Sequence, residues 1–218
     1  MIEIAGIAQA VAIIAACWAI IAGVGAWKRE YLGKRRIDLA EQVLAKFFEV
    51  KDAVAFIRNP WSASNEGETR DRSPGETKEE AALLDRGYIV VERYQQKESV
   101  FAEFNVLKYR CMAAFGSGTE PIFVETSKVV DSIFVSARML GHHYWPRQGR
   151  VPMEPDEVQK HLDEMHRHEG VFWDTGADDD EIRAKLHEIQ VQLEKLTAPF
   201  FEESMKLYAI LTKRWGAD

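Results

Sequence analysis

The feature that most limits what this chain can fold into is an uncharged run near its start, IAGIAQAVAIIAACWAIIAGVGAW, residues 4 to 27. A helix needs about 20 mainly apolar residues to cross the hydrocarbon of a bilayer, and the run is long enough. Eight of its residues are Ile or Val, each contributing about -0.3 to -0.6 kcal/mol to insertion near a helix centre. The residues before it, Met1-Ile2-Glu3, include no Lys or Arg, whereas Lys28, Arg29, Lys34, Arg35 and Arg36 follow it against the single acid Glu30. A cleaved export signal has the reverse order, with its basic residues first. Lys and Arg near the end of a span favour the cytoplasmic side. The sequence therefore predicts a single-pass anchor over residues 1–27 in a plasma (bacterial inner) membrane. Its N-terminus would lie outside and a helical-bundle domain over 28–218 in the cytoplasm.

Within the run, Ala5, Ala8, Ala12, Ala15, Ala19, Ala22 and Ala26 recur at steps of three and four, which places them on one helix face. A small-residue face lets helix backbones approach closely, so this seam is the expected route to a homo-oligomer. The basic cluster at 28 to 36 has two expected roles, fixing topology and meeting anionic lipid headgroups, the latter worth about 1 kcal/mol per residue near a membrane surface.

Beyond the run the apolar residues keep helical spacing. Leu32, Leu39, Val43, Phe47, Val50, Val54 and Ile57 continue the first helix, which should stop at Asn59-Pro60 because a residue before proline is pushed out of helical geometry. Residues 59 to 76 are polar and rich in turn formers. Ser73, Pro74 and Glu76 have the spacing of an N-cap, first turn and capping-box acid. The next helix carries Leu84, Tyr88, Val91, Tyr94, Phe101, Phe104, Leu107, Cys111 and Phe115 and should end near Gly116 and Gly118. A third opens at Thr119-Glu120-Pro121, buries Phe123, Val130, Ile133, Phe134, Ala137 and Leu140, and should stop around Gly141, ahead of a loop through HHYWPRQGRVPMEP.

A fourth helix, from about Pro155 to Trp173, aligns Val158, Leu162, Met165 and Phe172. The last has the clearest period, Ile182, Leu186, Ile189, Leu193, Leu196 and Phe200, with Pro199 inside it and Met205, Tyr208, Leu211 and Trp215 beyond. The strand-like YIVVERY at 88 to 94 lies within a longer helical pattern and lacks turn signals. The expected fold is all-α, an N-terminal transmembrane helix continuing into an elongated antiparallel bundle.

Composition narrows the function. A formal charge of -7 gives nucleic-acid binding no global electrostatic support, and two cysteines, Cys17 and Cys111, provide no disulfide framework. There is no Gly-x-Ser-x-Gly elbow and no Gly-Lys-Ser/Thr phosphate loop. Glu66, Glu68 and Asp71 alternate with Arg70 and Arg72 and lack the spacing of a calcium loop.

The nearest approach to a metal-ligand set is His161, Glu164 and His168 in HLDEMHRHE, spaced along one helix face. Glu-x-x-His pairs and His-Glu-x-x-His are absent, so no metal or other cofactor and no catalytic residue is expected. His142 and His143, beside Tyr144 and Trp145, suit a partner contact or a packed turn. The expected function is a membrane-anchored helical scaffold or signalling protein, oligomeric and engaging a further protein. The alternatives are a subunit of a small channel, in which Gln9 is the one strongly polar residue of the span, and a bundle metalloenzyme using the 161–169 histidines.

Overall fold

The computed structural model describes the backbone of residues 2–215 and the side-chain environments of residues 13–201. The chain divides into two compact units, Met1–Glu41 with Ala198–Asp218, and Gln42–Thr197. Among the described residues every regular element is helical. The long helices are α1 (Ile2–Ile57), α2 (Lys78–Phe115), α3 (Glu120–Met139), α5 (Pro155–Phe172) and α6 (Glu181–Trp215). A π turn at Leu140–Tyr144 and the one-turn α4 (Trp145–Arg147) prolong α3.

The all-helical expectation holds; the membrane expectation is corrected. Among the described residues no helix is long and apolar enough to cross a membrane. The part of the uncharged run whose side chains are described begins at Ile13 and ends at Trp27. Residues 4 to 12, with the rest of the expected span and Ala5, Ala8, Ala12 and Gln9, lie outside the described side chains. The anchor over 1–27, the plasma-membrane localisation with its outside N-terminus, and the span a channel would need are withdrawn on that finding.

The larger unit is an antiparallel bundle. On α1, residues 43, 47, 50, 54 and 57 are buried, and Phe47 meets Phe104 of α2 with ring centroids 5.8 Å apart. Phe104 in turn meets Phe123 of α3 at 4.7 Å, so an aromatic line ties three helices. Ten residues back along α2, Tyr94 meets Phe134 of α3 edge-on at 5.1 Å. Numbering falls on one helix as it rises on the other, which is the antiparallel arrangement. Helix α6 buries Ile182, Leu186, Ile189 and Leu193 as its period predicts and sets Gln190 against Lys51 of α1.

Helices α2 and α3 cross where side chains vanish: a Cβ on Gly87 would lie 3.1 Å from the Ala137 carbonyl oxygen and 3.6 Å from Gly141 Cα. A methyl group on Gly87 would crowd that carbonyl, so the bare glycine suits the close approach.

Several local expectations change. The second long helix is capped by Thr77: Glu80 N donates to Thr77 Oγ1 (3.2 Å), and Thr77 N donates to the Glu80 carboxylate (2.9 Å). The Ser73 to Glu76 stretch forms a separate turn instead, because Gly75 takes φ 93, a left-handed value at the third turn position that ends a helix before it starts. The chain does not become a loop at Gly141 but remains helical through Arg147. In the first half of α2 the buried residues are Ala81, Asp85, Gly87, Ile89, Val90 and Arg93, while Leu84, Tyr88, Val91 and Tyr94 are only half-buried. Leu32 and Val158 are exposed.

Candidate functional site

Two regions stand out from ordinary helix packing, one in each unit. In the smaller unit, α1 carries large apolar side chains that are exposed among the described residues. Ile14 is 69% exposed, Trp18 73%, Ile21 71% and Trp27 66%, and Ile13, Ile20 and Val24 are each more than half exposed. At 100° per residue these seven side chains spread over one half of the helix circumference. Of the expected seam, Ala15, Ala19, Ala22 and Ala26 are described, and all four are exposed along one face. The basic cluster that follows is also exposed: Lys34 pairs with Glu30 at 2.9 Å, and Arg35 sits over Tyr31, which stacks on Trp27. Lys28, Arg29 and Arg36 are exposed. Cys17 is exposed in the same segment.

In the larger unit, the π turn delivers Tyr144 into a group of histidines. An extra residue in a helical turn re-aims the side chains that follow it, and here Tyr144 is turned inward while His142 and His143 stay outside. The Tyr144 ring lies 5.0 Å from His143, 5.4 Å from His161 and 5.2 Å from His168, centroid to centroid. His168 is buried between α3 and α5. Its Nδ1 is 3.0 Å from Ser136 Oγ and its Nε2 is 3.3 Å from Arg167 Nη2. A guanidinium can only donate, so Nε2 is the accepting nitrogen and Nδ1–H donates to the serine. Burial first, then the adjacent Arg167 charge, hold the His168 pKa below its ordinary value against the smaller opposing pull of Glu164. His161 Nε2 is buried with no hydrogen-bond partner among the described residues.

The candidate ligands His161, Glu164 and His168 are not brought together as a metal-binding set. Glu164 is engaged by Arg167 at 2.8 Å, both ring nitrogens of His168 are occupied, and among the described residues no group of three or more His, Cys, Asp or Glu is placed to hold a metal. Cys111 is buried in the core, and that burial pushes its thiol up to about 11 despite Arg110 nearby, so it carries no reactive thiolate.

The polar residues that sequence reasoning missed are two buried arginines. Arg58, just past the end of α1, donates from Nε to the Val171 carbonyl (2.8 Å) and from Nη2 to the carbonyls of Gly170 (2.7 Å) and Trp173 (3.0 Å). Its Nη1 and Nη2 grip the Asp180 carboxylate at 3.0 and 2.7 Å, and Asp180 accepts the Arg183 amide as the start of α6. Arg93 does the same at the other loop, donating to the carbonyls of Ile57, Asn59 and Trp61 and to Glu66. Both saturate carbonyls that helix ends leave unpaired. An RN pair before a proline at a helix end was the only sequence signal for the first of them. Comparison of the chain with protein-family models, curated proteins and solved structures finds no match.

Proposed function

We propose that this protein is a helical interaction or scaffold protein that assembles with copies of itself through residues 13–27 of α1, with a binding rather than a catalytic role. The observation that carries the reading is the exposure of Ile13, Ile14, Trp18, Ile20, Ile21, Val24 and Trp27 over one half of a helix whose other half is the exposed alanine face. A helix that is apolar on every face is a buried helix in its working state, and contiguous apolar surface of this kind marks a contact. The alanine face argues for another helix as the cover, since small side chains let two backbones come close and leave the flanking Ile and Trp residues to interlock.

Magnitude supports an extended contact. Burying an Ile or Leu side chain gives roughly 1.5–3 kcal/mol, so covering three on each of two copies gives on the order of 10 kcal/mol. Association costs about 4–15 kcal/mol. A contact along the whole segment is therefore required.

Sedimentation and chemical crosslinking of the full chain over a hundredfold concentration range test this. The expected result is a discrete assembly that Ala19→Glu with Ala22→Glu reduces to monomer, with helical content unchanged. A chain that is monomeric at every concentration overturns the proposal. So does one that is monomeric yet partitions into neutral lipid vesicles through this segment, because lipid would then be the cover.

A further inference from the structure

We propose that the histidine cluster around Tyr144 is an acid-operated latch that fastens α5 to the end of α3. The two ends of α5 are held by different means. Its C-terminal carbonyls, at Gly170, Val171 and Trp173, are gripped by Arg58, whose charge does not change in the physiological range. The part before them is held where His168 reaches Ser136 and where His161 and His168 pack on Tyr144. The segment leading into α5 includes Gly149 at φ 69 and has no regular structure over 151 to 154, so it offers slack for movement.

The latch closes on a neutral imidazole. A second proton on His168 would go to Nε2, the nitrogen that faces Arg167, setting two cations together in a buried place. The groups facing His168 offer no relief. From α5 they are Arg167 and Glu164, and Glu164 is already bonded to Arg167; from α3 there is Ser136, and from the π turn Tyr144. Across the Tyr144 ring lie His161 and His143, His143 with Arg147 3.4 Å away, and Glu181 at the start of α6 acts on Arg167. Opening also releases His161 Nε2 from its unpaired burial and lets water satisfy it.

The sign follows from linkage. In the closed form His168 resists a proton, and in the open form it takes one at about 6.5. The open form thus binds more protons below that value, and opening gains as pH falls. If the closed ring stays neutral, the opening constant rises about tenfold between pH 7.5 and 5.5.

Hydrogen exchange on the full chain, corrected for the intrinsic pH dependence of amide exchange, reads this directly. Amides of residues 158 to 168 should lose about tenfold protection over that range relative to residues 101 to 111 of α2, and His168→Gln should abolish the difference. Unchanged protection of α5, or an equal loss in α2, overturns the latch. Should His168→Gln fail to fold, the imidazole resonances of the wild-type chain decide. Proton uptake by His168 coincident with α5 exposure supports the latch, and uptake without exposure, or exposure while the ring stays neutral, overturns it.

Discussion

At the scale of single residues, the larger unit depends on charges placed where a count of apolar positions puts none. Arg58 is a fully buried cation whose charge is matched by Asp180 and whose Nε and Nη2 also donate to carbonyls. The desolvation cost of such a pair is large, and geometry of this quality offsets it. Removing one partner leaves the other charged and buried, so Arg58→Ala should lower unfolding free energy by about 3–5 kcal/mol, read from the urea midpoint at unchanged slope. A loss below 1 kcal/mol would mean that water already reaches Asp180. Sequence alone showed Arg58 only as a polar residue at a helix end and Arg93 only as one within a helix, because burial of an arginine depends on carbonyls contributed by segments more than thirty positions away.

At the scale of elements, the connection between α1 and α2 is a strap and not a free loop. Arg70 bonds both Glu76 and Asp85, Arg72 reaches the other Asp85 oxygen, and Glu92 accepts from the Gly67 amide and from Thr69. These contacts turn α2 so that Asp85, Ile89 and Arg93 face the strap, which is why its first half buries a face that the apolar period did not mark. The strap closes at Gly67, where φ is 88 and a Cβ would sit 1.9 Å from the Asp85 carbonyl oxygen. Relief requires backbone movement, so Gly67→Ala should cost roughly 2–4 kcal/mol in thermal or chemical unfolding. It should also raise proteolysis between residues 59 and 77; a fully stable variant would show that the strap is not seated against α2. The sequence places the capping box at Ser73 with Glu76; Thr77 with Glu80 has the same spacing, and only the left-handed Gly75 separates a turn from a helix start.

At the scale of the whole molecule, acid should act in two steps. The first is the loss tied to His168, beginning as pH falls through about 6.5, the value of the unfolded residue. The second comes from carboxylates held below their ordinary values in the fold. Burial alone would raise Asp180, but the Arg58 hydrogen bonds and the Arg183 amide together keep it low, and the Arg70 guanidinium with the Ser73 amide holds Glu76 at about 2. A depressed carboxylate stabilises the fold above its unfolded value, near 4, and that stability goes as pH falls towards the folded value. The urea midpoint should therefore decline between about pH 6.5 and 5.5, decline again below about 4.5, and not recover down to pH 3. An increase on acidification contradicts both assignments. The self-association proposed for residues 13–27 belongs to this scale too, because helical periodicity announces an apolar helix but not what covers it.

The sequence by itself determined that the chain is helical, where α1 and α2 end, and which stripe of α6 is buried, since 3.6-residue periodicity, proline and glycine act through neighbours a few positions apart. It also marked His161 and His168 as sharing a face. Tertiary structure alone decided that a π turn seats Tyr144 against them, that Ser136 and Arg167 occupy both nitrogens of His168, and that two arginines lie in the interior. Those outcomes depend on which distant carbonyls and rings arrive at the same place, and no local pattern encodes that meeting.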